Sequence, residues 1–272
     1  MIKISQLAIY PVKSCAQIIL NSATIDIFGL NMDRRWMVVD ENGRFLTQRQ
    51  ISTMCLIKPT FVDNEIMLQA PGMESCLVDV RSLTKKQEVA IWADHCAALD
   101  CGEEVAQWLS QFLEKKCRLV YFPENEIRQV DLEYAEQGDK TAFSDGFPLL
   151  LISEASLEDL NSRLARKQQK SVEMRRFRPN IVVSGCEPFA EDKWQRIKIG
   201  ETVLRVVKPC SRCVIPNIDP ETGIRGAEPS QTLKEYRRQE HPQIGNKVFF
   251  GQNVIAESIG QFAVNMPVTI IE

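Results

Sequence analysis

Residues 194–223, WQRIKIGETVLRVVKPCSRCVIPNIDPETG, read as three short strands, WQRIKIG, TVLRVVK and CVIPNI, ending in a DPETG turn. Beyond them a short polar helix near Gln231 to Glu240 precedes the strands KVFFG, NVIAES and PVTII. Antiparallel strands joined by short turns predict a closed or nearly closed barrel rather than a doubly wound sheet. Upstream, FPLLLIS runs into a helix starting near Ser153, SEASLEDLNSRLARK. Leu157, Leu160 and Leu164 are in register there, hydroxyl residues are available to cap the first turn, and strands resume at NIVVSG.

The first third has the same texture. From Lys3 to about Ala93 short β-like runs alternate with turn residues: IKISQLAIYPV, ATIDIFG, RWMVVD, GRFLTQRQ, EIMLQA, CLVDV and VAIWA. Glu41 to Gly43 form a hairpin-type turn. A covering helix is predicted over Glu103 to Lys115, with Val105, Trp108, Leu109, Phe112 and Leu113 on one face. The charged, weakly periodic stretch from Pro123 to Lys140 reads as a linker or surface excursion. It divides the chain into units 1–122 and 123–272, and the fold class expected is mainly β, a β-rich α+β protein with a few covering helices.

With 272 residues and 44% apolar content the chain can bury a sizeable core. A formal charge of −3 provides no global field for nucleic acid or anionic membranes, so neither is an expected partner. The N-terminus lacks the basic and long apolar segments of a leader, and no run approaches the length of a spanning helix. A cytosolic protein is expected, monomeric by default. Nine scattered cysteines read as mostly buried, reduced thiols rather than a disulfide framework. The fingerprints G-x-G-x-x-G, G-x-x-x-x-G-K-[ST] and G-x-S-x-G are missing, which argues against dinucleotide folds, P-loop enzymes and ordinary serine hydrolases.

Chemistry concentrates at Cys210 and Cys213. A C-x-x-C can be half a zinc site, a dithiol pair or two inert thiols. The two histidines, His95 and His241, lack paired-ligand spacing for zinc and are read as structural. β-like residues flank the motif where a dithiol pair would want a helix N-terminus. Arg212 beside Cys213, with Lys208 five residues back, favours a thiolate, the form that acts as nucleophile or soft-metal ligand. Lys13 and Ser14, in YPVKSC, stand where a strand meets a turn and suit a phosphate. If Trp36 faces the core, alternation places Arg34 with it and Arg35 away, and a buried arginine needs an anion. Arg178 and Asn180 precede another strand, although Arg175, Arg176 and Arg178 could equally form an ordinary basic edge.

Eight ordered motifs, YPVKSC, GLNMDRRWMVVD, LTQRQ, CGEEVAQWL, SEASLEDLNSRL, FRPNIVVSGCEPFAEDKW, CSRCVIPNIDPETG and FFGQNV, resemble proteins in which an N-terminal MOSC β-barrel-like domain precedes a MOSC domain. That group contains the mitochondrial amidoxime-reducing component. The resemblance spans nearly the whole chain. It implies a molybdenum–molybdopterin cofactor with Cys213 as the protein's sulfur ligand, and places phosphate and pterin contacts on Lys13, Ser14, Arg34, Arg178, Asn180, Ser211 and Arg212. Asp145 follows Ser144 as in the relatives, but Gly146 and Phe147 stand where those carry hydroxyl residues and offer only backbone groups, and Asn253 stands where the mitochondrial relative has an aromatic contact.

The activity implied is reduction of small N-hydroxylated compounds: hydroxylamines, amidoximes and N-hydroxylated bases. No cysteine follows Cys213, so electrons are expected from a separate ferredoxin-, flavodoxin- or cytochrome-type donor. Asp219 is a candidate proton relay, or simply the first residue of its turn. Two alternatives stand beside the reductase: sulfur transfer through a Cys213 persulfide, after the sulfurases that give MOSC domains their name, and a non-catalytic cofactor carrier. The family is also associated with pyridoxal phosphate, but no aminotransferase-like domain is recognised in the chain.

Overall fold

The computed structural model describes residues 1–272 except 64, 82 and 244. Among the described residues nine strands form one large sheet, whose main path runs Val268–Ile270, Arg196–Ile199, Thr202–Ser211, Gly245–Ala256, Leu149–Ser153, Ile181–Ser184, Lys3–Ile9 and Ile18–Leu20. The sheet curls back on itself. Ile4 N–H donates to Met266 O at 2.9 Å and Val268 N–H to Ile2 O at 2.9 Å, drawing the last strand onto the first. Ile4, Leu7, Ile25, Leu151, Ile181, Ile197, Leu204 and Phe262, all buried, fill the interior. The barrel expected from short antiparallel strands is present, with one exception: Leu149–Ser153 and Ile181–Ser184 run parallel. The Glu154–Arg166 helix makes that crossover, capped by Ser153, whose Oγ accepts from Ser156 N–H at 3.1 Å.

Trp36–Val39, Arg118–Tyr121, Asp94–Asp100 and Lys86–Ile91 form a second sheet. A core of Trp36, Val38, Leu109, Leu113 and Leu119 holds the Glu103–Leu113 helix against it. Strand pairing crosses the division expected at 122/123: Lys3–Ile9 hydrogen-bonds to Ile181–Ser184 and Ser22–Asp26 to Gly260–Ala263. The excursion 123–140 carries no regular helix or strand, yet it contributes the buried Arg128 to the site. No helix among the described residues is long and apolar enough to cross a membrane.

Two expected strands are not strands. In GRFLTQRQ the chain turns at Thr47, whose carbonyl accepts from Gln50 N–H at 3.0 Å and whose Oγ1 accepts from Arg49 N–H at 3.2 Å. In CVIPNI, Pro216 cannot donate to a ladder, and Ile215–Asn217 close a 3-10 turn. Both departures are at the site.

Candidate active site

Where the barrel meets the second sheet lies a cavity of about 140 Å³, opening into an outer recess of about 890 Å³. The twelve residues expected as cofactor contacts or metal ligand all line the inner cavity: Lys13, Ser14, Arg34, Asp145, Gly146, Phe147, Arg178, Asn180, Ser211, Arg212, Cys213 and Asn253.

Three of them take backbone conformations that L-residues seldom adopt: Ser14 at φ 69°, Arg34 at φ 49° and Arg178 at φ 59°. Such positions cost free energy and persist where the surrounding structure holds them, often at binding sites. The expected alternation of Arg34, Arg35 and Trp36 therefore does not apply, because Arg34 lies in a turn and the strand begins only at Trp36. Arg34 does reach the site. Its partners are Asp33, Asn180 Oδ1 at 2.9 Å and the Arg178 carbonyl at 3.2 Å. Arg35 is buried as well, its guanidinium 4.8 Å from the centre of the Phe28 ring and donating to Phe122 O at 2.9 Å.

Tyr10 underlies the two inner arginines, with the Arg34 and Arg178 guanidinium carbons 4.7 and 4.1 Å from its ring centre. Arg178 donates to Cys15 O at 2.7 Å, but its Nη2 is buried and has no hydrogen-bond partner among the described residues, as is true of Arg49 Nη2 and Arg212 Nε. Burial, reinforced by Arg34, pulls the Arg178 guanidinium down to about 10. Lys13 donates to Phe143 O at 2.7 Å and Asp145 Oδ1 at 2.6 Å. Burial, opposed by Asp145, brings its ammonium down to about 8. Asp145 moves the other way: burial pushes its carboxyl up, but Lys13 and Arg49 together hold it well below the usual carboxylate range. Five cations thus line a cavity with a single acid in its wall. Clustered cations, three of them with a buried nitrogen that has no partner among the described residues, fit an anionic ligand.

Cys213 is exposed at the boundary between cavity and recess. Arg49 Nη1 lies 3.9 Å from its sulfur. Cys210 is less open and receives Arg212 Nη1 at 3.1 Å. The other seven cysteines are free thiols elsewhere, five of them buried. Among the described residues no three His, Cys, Asp or Glu side chains gather at metal-binding range, so a metal at Cys213 would need ligands from its own cofactor. Asp219 is outside the cavity lining. It pairs with Arg176 at 2.7 Å and accepts from Glu221 N–H at 2.9 Å, as the first residue of its turn. His95 is a surface partner of Glu88 at 3.0 Å.

Sequence reasoning missed Arg49 and Arg128. Arg49 was in plain view in LTQRQ, but its role depends on a chain reversal that no periodicity announces. Arg128, in the supposed linker, donates to Ala142 O at 2.9 Å and Ser144 O at 2.6 Å and so shapes the loop that presents Asp145.

Residues 1–116 match the MOSC N-terminal beta barrel domain and residues 138–269 the MOSC domain. The mitochondrial amidoxime-reducing component 1 of mouse is 38% identical over 98% of this chain and 82% of its own. The human component 1 is 37% identical with the same coverage, and the bovine component 2 is 36% identical over 97% and 82%. These relatives correct one expectation: they are mitochondrial by name, which contradicts the cytosolic location inferred from the N-terminal residues. On the two matched domains and these near-full-length identities, the chain belongs to the MOSC-domain family, among the relatives of the mitochondrial amidoxime-reducing components.

Proposed function

We propose that the chain is a molybdenum-cofactor oxidoreductase that reduces small N-hydroxylated compounds with electrons from a separate donor protein. One observation carries the reading: half-buried arginines, each with a buried nitrogen that has no hydrogen-bond partner among the described residues, share a cavity with an exposed cysteine, in a chain whose relatives are named for amidoxime reduction. Cys213 would be the protein's sulfur ligand to the metal. Lys13, Ser14, Arg34, Arg178 and Asn180 would hold the phosphate and pterin. Ser211, Arg212, Asp145, Gly146, Phe147 and Asn253 would complete the walls. When bound, the cofactor would supply the electron pair that, together with two protons, reduces the N–OH group to N–H and releases its oxygen as water.

The protein's own part is binding and orientation. Asn180, buried, accepts from Arg34 and Leu150 N–H and donates to Ala8 O at 3.2 Å, which fixes the amide and through it the Arg34 guanidinium. Asp145, ionised at neutral pH, acts as an acceptor that steadies Lys13 and Arg49, not as a proton donor. The test is conversion of an amidoxime to its amidine with a chemically reduced mediator as donor, comparing wild type with Cys213→Ala. The variant is expected to be inactive; full activity in it would sink the mechanism. A wild type that instead carries a persulfide on Cys213, without molybdenum, would favour sulfur transfer.

A further inference from the structure

One bulky side chain at the recess has no place in the cofactor reading. Ile91 pairs with Asp94, so the turn between the two strands consists of Trp92 and Ala93 alone. Trp92 takes φ 57°, where tight hairpins ordinarily place Gly or Asn because a side chain crowds its own backbone. Its indole is nevertheless 54% exposed, on the wall of the recess. The Arg49 guanidinium carbon lies 4.5 Å from the ring centre, Phe45 packs at 5.2 Å, and the indole N–H donates to Asp145 Oδ1 at 3.3 Å. The same Arg49 reaches to 3.9 Å from Cys213 Sγ and keeps its buried Nη2 without a partner among the described residues. Strained backbone of this kind clusters at binding sites and ligand clamps.

The geometry points to Trp92 and Arg49 as the substrate platform, an inference that rests on the reductase reading above. The open indole face stacks a flat, conjugated N-hydroxylated substrate such as an aryl amidoxime. The Arg49 guanidinium lies 4.5 Å from the centre of the indole ring and 3.9 Å from Cys213 Sγ, which fixes the ring beside the reacting bond. Arg49 thus supports the ring and holds it close to Cys213. Conjugated substrates are preferred over small aliphatic hydroxylamines.

The test uses the cofactor-loaded protein with benzamidoxime and hydroxylamine as paired substrates. In Trp92→Gly the turn is relaxed, so the fold should not suffer, and kcat/KM for benzamidoxime should fall about tenfold relative to that for hydroxylamine, mostly through KM. Trp92→Phe, which keeps an aromatic face, should recover most of the ratio. A loss that is equal for both substrates would make Trp92 merely structural and overturn the platform. Independently of turnover, benzamidoxime should quench the intrinsic fluorescence of wild type, with or without cofactor, but not that of Trp92→Phe; equal quenching of both also overturns it. A wild type that is quenched but reduces neither compound would overturn the reductase reading while upholding the aromatic binding face.

Discussion

Lys13→Met removes a buried cation from a cavity with surplus positive charge. Burial, partly offset by Asp145, lowers the Lys13 ammonium from 10.5 to about 8. Below pH 8 the group is charged in both folded and unfolded chains, and the fold carries the full penalty. Between about 8 and 10.5 the unfolded chain holds a proton that the folded chain has lost, so stability rises with pH, and above 10.5 the penalty is gone. That interval corresponds to roughly 3 kcal/mol. The variant leaves the Phe143 carbonyl without its Lys13 donor, a loss of about 1 kcal/mol. Cofactor-free Lys13→Met should therefore be about 2 kcal/mol more stable than wild type at pH 7, a rise of roughly 4–8 °C in Tm for a chain of this size. Thermal unfolding followed by circular dichroism at pH 7 and pH 10 measures it, and the advantage should shrink at the higher pH. In the cofactor-loaded protein the order should reverse, because ligand binding stabilises only the chain that retains the anion contact. A lower Tm for cofactor-free Lys13→Met at pH 7 would mean that Lys13 is a structural partner of Asp145, not a cation held ready for an anion.

Asp219→Ala should leave the reduction rate unchanged and lower stability by about 1 kcal/mol, through loss of its turn hydrogen bonds and the Arg176 pair; a collapse in rate with intact folding would restore it as a proton relay. Gly251→Ala should destabilise the barrel by about 2–4 kcal/mol in urea unfolding. The residue sits at φ +82°, and an added Cβ would meet Ile152 Cγ1 at 2.6 Å and Leu151 O at 2.9 Å. A neutral result there would mean that the two central strands can part more easily than their packing implies. Ser153→Ala should cost about 1 kcal/mol in thermal unfolding by uncapping the crossover helix.

Much of the barrel was legible because its strands keep a period of two between turns, and because the Glu154–Arg166 helix shows its leucine face and its serine cap in the sequence. What stayed hidden are features set by tertiary contact. Nothing in IKISQLAI says that it pairs with residues 181–184 rather than with its sequence neighbours. The turn at Thr47 and the 3-10 segment at Pro216 both break runs whose composition is β-like. For the site, the motifs supplied the residues that the cavity gathers, but not Arg49, Arg128 or Trp92, whose positions follow from a loop reversal, a folded-back excursion and a strained hairpin.

Anchoring of a molybdenum cofactor by Cys213 in this cavity is open to a direct measurement of the metal. Elemental analysis by mass spectrometry, on wild type and Cys213→Ala purified side by side from a host that makes the cofactor, tests it most directly. Stoichiometric molybdenum is expected in wild type, with metal loss or an altered metal spectrum in the variant; a wild type free of molybdenum from that host, or a variant indistinguishable from it in metal content and spectrum, rules that anchoring out.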